Sequence, residues 1–277
     1  MNIANCLLFL FGFSFSFFGS NNYLPDSLNW IKIDSNFQLL VKQHLRPSVT
    51  GDGNITLIRF KPDKYVIDLI SFKENKLNKT ADYWTDTLNY TLVFNAGMYD
   101  LADETKHRFY MRNKSEINNS HIDLNANGAI AFNRLNDSVK NFNLFDLTIN
   151  KIVDIEKDYQ TIIQGYRLID NSGMPVYWLN NDQFCSMSVI AQDTLGYIYL
   201  IFSRSPLSQN QMIENLLSLR LNLKNSIYLE GGSKACFSIR TQGIKMKKMG
   251  SYVSNYYPFD DNIVMPNFPN FIGIKNL

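Results

Sequence analysis

One stretch of this 277-residue chain, residues 208–219, carries a convincing helical period. Ser208 stands as its N-cap, and Met212, Ile213, Leu216, Leu217 and Leu219 fall on one broad apolar face. Almost every other patterned stretch reads as a short strand punctuated by Gly, Pro, Asn or Asp. The chain is 45% hydrophobic, so it has a sizeable core to bury, and with one real helix that core must come mainly from sheets. The 15 Tyr and 20 Phe agree, because aromatic rings suit the half-buried face of a strand. The fold expected is α+β: a single domain with a mixed or largely antiparallel multi-stranded sheet and few helices.

Taken in order, residues 5–20 are apolar, the length of a signal-peptide core and short for a membrane span. No Lys or Arg precedes the run. The reading is an exported protein (periplasmic, cell-surface or secreted), with a retained N-terminal anchor as the alternative. Residues 1–20 are therefore leader, 21–54 a polar lead-in, and 55–277 the folded domain. Residues 54–60 and 65–72 read as strands joined by a hairpin turn at Lys61-Pro62-Asp63-Lys64. Thr80 caps a short helix over 81–88. Residues 161–169 read as one strand with Gly165 as a bulge. Residues 187–191 and 197–202 form a hairpin, and the chain from 242 onward looks irregular.

Charge excludes some functions. The 27 Lys and Arg nearly balance the 25 Asp and Glu, and Lys245-Met246-Lys247-Lys248 is the one basic run, so nucleic acid is a poor partner. The three His show no ligand spacing, so no metal is expected. There is no Gly-x-Gly-x-x-Gly, P-loop or Gly-x-Ser-x-Gly, and no cofactor is expected. Beyond Cys6 in the leader, Cys185 and Cys236 can either pair or stay as free thiols.

The chemistry concentrates at Ser226-Ile227-Tyr228-Leu229-Glu230-Gly231-Gly232-Ser233. A strand stops on a carboxylate, and two glycines follow, which let the backbone turn tightly and approach a ligand. Successive N–H groups in such a turn can cradle an anion. A second strand ends in the same way, at Asn95-Ala96-Gly97-Met98-Tyr99.

These stretches occur in order with Gln164-Gly165-Tyr166-Arg167, the 188–203 hairpin, the 208–219 helix and the terminal Pro266-Asn267-Phe268-Pro269-Asn270-Phe271-Ile272-Gly273-Ile274. Over roughly residues 55–275 the chain resembles the phosphodiester glycosidase family, of the N-acetylglucosamine-1-phosphodiester alpha-N-acetylglucosaminidase type and its secreted bacterial branch. The resemblance implies an enzyme that cleaves a sugar from a phosphodiester at the anomeric C–O bond, with a carbohydrate phosphodiester as its partner. It implies Glu230 as nucleophile or general base, where the family more often has Asp. It implies Asn95 and Gln164 as amides that orient substrate, Gly97 and Tyr99 as substrate-binding neighbours, and Gly231, Gly232 and Ser233 as backbone N–H donors to the phosphate. Cys185 falls where relatives usually carry an Arg that could hold phosphate; Arg167 and Arg204 are the expected substitutes. Asp100 and Asp103 are spare carboxylates. The competing readings are a glycan- or sugar-phosphate-binding protein with decayed catalysis, and a phosphoesterase that cuts P–O instead of C–O.

Overall fold

A computed structural model describes residues 28–277 except positions 35, 36, 47, 49 and 181. The leader expected over residues 1–20 lies outside the described residues. Every strand pairing among them is antiparallel. One seven-stranded sheet runs Ile31–Lys32, Gln38–Gln43, Asn54–Phe60, Ile198–Leu207, Cys185–Asp193, Leu223–Gly231, Arg167–Ile169. A five-stranded sheet runs Phe142–Asp146, Gly128–Arg134, Tyr159–Gly165, Met111–Asn113, Glu116–Asn119. A second five-stranded sheet runs Lys245–Met249, Cys236–Arg240, Leu92–Asn95, Asn270–Asn276, Tyr65–Ser71.

The inward residues of all three sheets share one core. Phe60, Ile227 and Leu229 come from the first, Phe132 and Phe142 from the second, and Phe94, Phe237 and Ile272 from the third. The other face of the seven-stranded sheet packs under the helix Gln209–Ser218, where Met212, Ile213 and Leu216 cluster with Met187, Val189 and Tyr199. That helix starts as its sequence demands. The Ser208 hydroxyl accepts the Gln211 N–H at 3.2 Å while the Gln211 side chain accepts the Ser208 N–H at 3.1 Å, which satisfies two otherwise orphaned donors. The architecture is α+β in a single domain with few helices, as expected.

Local expectations fail where the chain changes sheets. Asn54–Phe60 and Tyr65–Ser71 are not a hairpin: the first pairs with Gln38–Gln43 and Ile198–Leu207, the second with Asn270–Asn276. Asn54–Phe60 is apolar on both faces and lies inside its sheet, Tyr65–Ser71 is the edge strand of another, and the 3-10 turn Pro62–Lys64 carries the chain across. Residues 161–169 likewise split. Tyr159–Gly165 belongs to one sheet and Arg167–Ile169 to another, and a Cβ on Gly165 would sit 2.8 Å from Ile227 Cγ2. The sheet also begins before residue 55, because Gln38–Gln43 in the polar lead-in pairs along Asn54–Phe60. At the other end Asn270–Asn276, in the stretch that looked irregular, is a buried central strand.

Candidate active site

Glu230 is the penultimate residue of the strand Leu223–Gly231. The pairing slips beside it: Tyr228 faces Val189 and Glu230 faces Ser188, so three residues on one strand oppose two on the other. A bulge of this kind re-aims a side chain. Here the carboxyl lies inward, and Glu230 is only 6% exposed. Its Oε1 accepts the Gly231 N–H at 2.8 Å, while Oε2 is buried with no hydrogen-bond partner. Burial pushes its pKa up to about 8; the Gly231 N–H, the Tyr99 N–H, which lies near the carboxyl without a well-formed hydrogen bond, and then Lys234 and Arg108 oppose that shift. At neutral pH this group mostly holds its proton.

The Gly-Gly turn is needed for packing as much as for approach. A Cβ on Gly231 would overlap the Tyr228 hydroxyl and lie 2.9 Å from Cys185 Sγ. Gly232 adopts φ +60° and opens the 3-10 turn Gly232–Lys234. The Gly231 N–H is given to Glu230, and the Gly232 N–H faces the Cys185 sulfur. The anion cradle expected from these two N–H groups is therefore engaged inside the protein. Ser233 is half-exposed at the rim.

Asn95 does come beside Glu230, but its amide is spent. Its Oδ1 accepts the Cys236 N–H at 2.7 Å and the Ser188 hydroxyl at 3.1 Å, and its Nδ2 donates to the Lys234 carbonyl at 3.1 Å. It clamps the far side of the Gly-Gly turn. Gln164 is equally engaged: Nε2 donates to the Asp123 and Ala126 carbonyls at 2.7 Å, and Oε1 accepts from the Tyr110 and Asp123 N–H groups. Both amides are loop anchors in this structure, which corrects their reading as free substrate-side groups. Gly97, at φ +139°, leaves room for the His107 imidazole. That ring accepts the Phe109 N–H on Nδ1 at 3.0 Å, and burial lowers its pKa to about 4, so it is neutral.

Neither expected substitute for the missing arginine is free. Arg167 is buried in an ion pair with Asp146 and donates to Asn127 Oδ1 at 3.1 Å. Arg204 holds Asp260 through two hydrogen bonds, at 3.1 and 2.6 Å, and donates to the Met249 and Asn262 carbonyls, both at 2.8 Å. Asp103 pairs with Lys106 at 2.9 Å, and Asp100 accepts the Ala102 N–H at 2.7 Å, so both close their own loop. Cys185 and Cys236 are free thiols.

Two cations that sequence reasoning missed stand near Glu230. Arg108 is exposed, with its N–H bonded to the Met98 carbonyl at 2.8 Å and its guanidinium 5.6 Å from the Phe109 ring. Lys234 is half-exposed, with Nζ 5.8 Å from the Tyr99 ring. Neither forms an ion pair among the described residues. Lys234 follows the Gly-Gly turn and could have been noticed; Arg108 sits in a polar loop with no local signal. Between Arg108 and the turn runs a chain of ring contacts: Phe109–Tyr166 at 5.0 Å, Tyr166–Trp178 at 5.1 Å and Trp178–Tyr228 at 5.8 Å. A cavity of about 770 Å³ lies elsewhere, around Asn89, Thr91 and Arg240, and holds none of the expected residues.

The site thus gathers a buried carboxyl under a Gly-Gly turn, two cations and a run of aromatic rings on an antiparallel framework. The chain belongs to the phosphodiester glycosidase family, whose sequence profile matches residues 89–275, more than half its length. Among solved structures it is similar to the zebrafish N-acetylglucosamine-1-phosphodiester alpha-N-acetylglucosaminidase catalytic domain, auto-inhibited by its pro-peptide. The two are 13% identical with a TM-score of 0.59, over 90% of this chain and 87% of that one. It is also similar to a hypothetical protein from Synechocystis, 12% identical with a TM-score of 0.57, over 88% of this chain and 63% of that one. At these identities the structural likeness speaks for the fold. No curated protein matches by sequence.

Proposed function

We propose that this protein hydrolyses the anomeric C–O bond of a sugar-1-phosphodiester, with Glu230 as general base. The observation that carries the reading is the unpartnered Oε2 of a buried carboxyl, with Arg108 and Lys234 in electrostatic range. A buried acceptor left unpaired is costly, and such groups concentrate where a ligand or water completes them. In this scheme Glu230 takes a proton from water as that water attacks the anomeric carbon. The C–O bond breaks, and its electron pair goes to the phosphate oxygen. Arg108 and Lys234 bind the phosphate charge, in the place of the arginine that Cys185 replaces. A phosphate monoester leaves readily, so one carboxyl can serve where most glycosidases use two. Asn95 and Gln164 act as positioning residues: the first holds the turn, the second holds the 123–126 loop beside Tyr110. Gly97, Tyr99 and Ser233 form the wall, and the aromatic chain through Tyr166 and Trp178 offers ring faces to the sugar.

The activity named for the zebrafish structure makes an N-acetylglucosamine-1-phosphodiester the first substrate to try. Hydrolysis in oxygen-labelled water tests the bond cleaved: label must enter the sugar, and label in phosphate would mean P–O cleavage instead. The apolar run at residues 5–20 supports export; among the described residues no helix is long and apolar enough to cross a membrane.

A specific observation favours a second reading. Arg167 and Arg204, the arginines expected to hold phosphate, are both engaged in ion pairs, which suits a sugar-phosphate-binding protein without turnover. Equal binding by wild type and Glu230→Gln, with no free sugar released by either, would decide for it.

A further inference from the structure

Residues 250–264 form a long connection that exposes an unusual amount of aromatic surface. Tyr252 is 50% exposed, Tyr256 95%, Phe259 63% and Ile263 86%. Tyr257 joins them, its ring 6.3 Å from Tyr252 and 5.5 Å from Phe259. A contiguous exposed apolar surface of this kind marks a binding site. The segment is also held in place. Arg204 grips Asp260 and the Asn262 carbonyl, Asn262 Nδ2 donates to the Gly250 carbonyl at 2.7 Å, and the Tyr257 hydroxyl donates to Asp261 at 2.7 Å.

Its anchors lead straight to Glu230. Gly250 packs so tightly on the Gly232 carbonyl that a Cβ there would overlap it, and the Ser251 N–H donates to Ser186 Oγ at 2.8 Å. Asn255 reaches across to accept the Phe184 N–H at 3.1 Å and to donate to the Asp182 carbonyl. Phe184 is 38% exposed and immediately precedes Cys185, which lies against Gly231. The aromatic surface therefore continues from the rim of the Gly-Gly turn outward.

We infer that this surface is a platform for an extended carbohydrate, the part of the substrate beyond the bond that is cut. The substrate class rests on the proposed glycosidase reading. Ring faces pack against the C–H faces of pyranoses, while the tyrosine hydroxyls stay wet. Charge argues against an anionic membrane as occupant: residues 250–264 contain Asp260 and Asp261 and no Lys or Arg.

The test is native electrophoresis through gels cast with a soluble N-acetylglucosamine polymer or a sugar-1-phosphate polymer, beside turnover of a small sugar-1-phosphodiester. Wild type and Glu230→Gln should both be retarded by one of these polymers. Y256A/F259A, which removes none of the side-chain hydrogen bonds that hold the segment, should lose that retardation by about tenfold in apparent affinity and keep the small-substrate kcat/KM. Unretarded wild type on both gels overturns the platform, whatever the small-substrate rate. Ring-dependent binding to phosphatidylcholine vesicles, or a dimer that the double variant abolishes, also overturns it. Retardation without turnover leaves the platform standing and removes the glycosidase reading.

Discussion

At the scale of single residues, Glu230 holds its proton until about pH 8 because burial removes water from the charged form faster than two N–H groups and two cations restore it. As a base it works only when ionised. Activity, as kcat/KM, should therefore rise with pH up to about 8 and then level off. A rate that falls through the same window would make Glu230 an acid instead. Glu230→Gln should lower kcat by about 10²–10⁴. Arg108 makes a different kind of case. Its side chain is exposed and forms no ion pair among the described residues, so Arg108→Ala should leave thermal stability within about 0.5 kcal/mol. It should weaken a phosphodiester substrate by about tenfold in kcat/KM while leaving a neutral aryl glycoside unaffected. Equal loss on both substrates would show that Arg108 does not read phosphate.

At the scale of elements, the Gly-Gly turn owes its shape to contacts from three sides. Asn95 ties its exit, Cys185 and Tyr228 press on Gly231, and Gly250 closes over the Gly232 carbonyl. None of this strains Gly250 itself, which lies outside the positive-φ set; the demand is for space. Gly250→Ala forces a methyl group against the Gly232 backbone, and overpacking of that kind costs about 1–3 kcal/mol. A thermal melt of Gly250→Ala should fall by several degrees, and turnover should fall with it, because the turn that carries Glu230 has to move. An unchanged melt would mean the turn can shift without loss.

At the scale of the whole molecule, two sheets are joined by a buried ion pair. Arg167 comes from the seven-stranded sheet and Asp146 from a five-stranded one, and their side chains are 5% and 8% exposed. Arg167→Met strands a buried carboxylate and should cost about 3–5 kcal/mol in denaturant unfolding, far more than a surface pair would. The pH dependence of folding follows from two buried groups of opposite sign. Glu230 is raised from 4.5 to about 8, so the folded state keeps a proton that the unfolded chain loses, and stability falls as pH rises from about 4.5 to 8. His107 is lowered from 6.5 to about 4, so its contribution is lost as pH falls from about 6.5 to 4. Between about 4.5 and 6.5 these two slopes cancel, while His44, also lowered by burial, adds a rise with pH; above 6.5 the Glu230 loss remains, on the order of 2 kcal/mol by pH 8. Denaturation midpoints followed from pH 5 to 9 should reach their maximum near 6.5 and then decline, and Glu230→Gln should remove the decline.

Much of the fold could be read from local pattern because its causes are local. The Ser208 capping box, the Thr80 cap and the 185–207 hairpin depend on neighbours in sequence, and they stand where the residues put them. The same holds for the ordered set of strand-end motifs that marks the family. Glu230, Asn95 and Gln164 were identifiable as residues worth watching for the same reason. Their roles were not, because an amide's partners and a carboxyl's exposure are set by chain segments far away: Cys236 and Lys234 for Asn95, Asp123 and Ala126 for Gln164, Tyr99 for Glu230.

What the residue order determined alone is the inventory: strands, one good helix, and an acid followed by two glycines. Which sheet each strand joins was decided only when Phe60, Phe94, Phe132 and Ile227 found a common interior. That packing buried Glu230, used up Arg167 and Arg204, and brought Arg108 within electrostatic range of a carboxyl 122 positions later in the chain. Short-range propensity cannot encode such meetings, since they arise from burying apolar surface over the whole molecule at once.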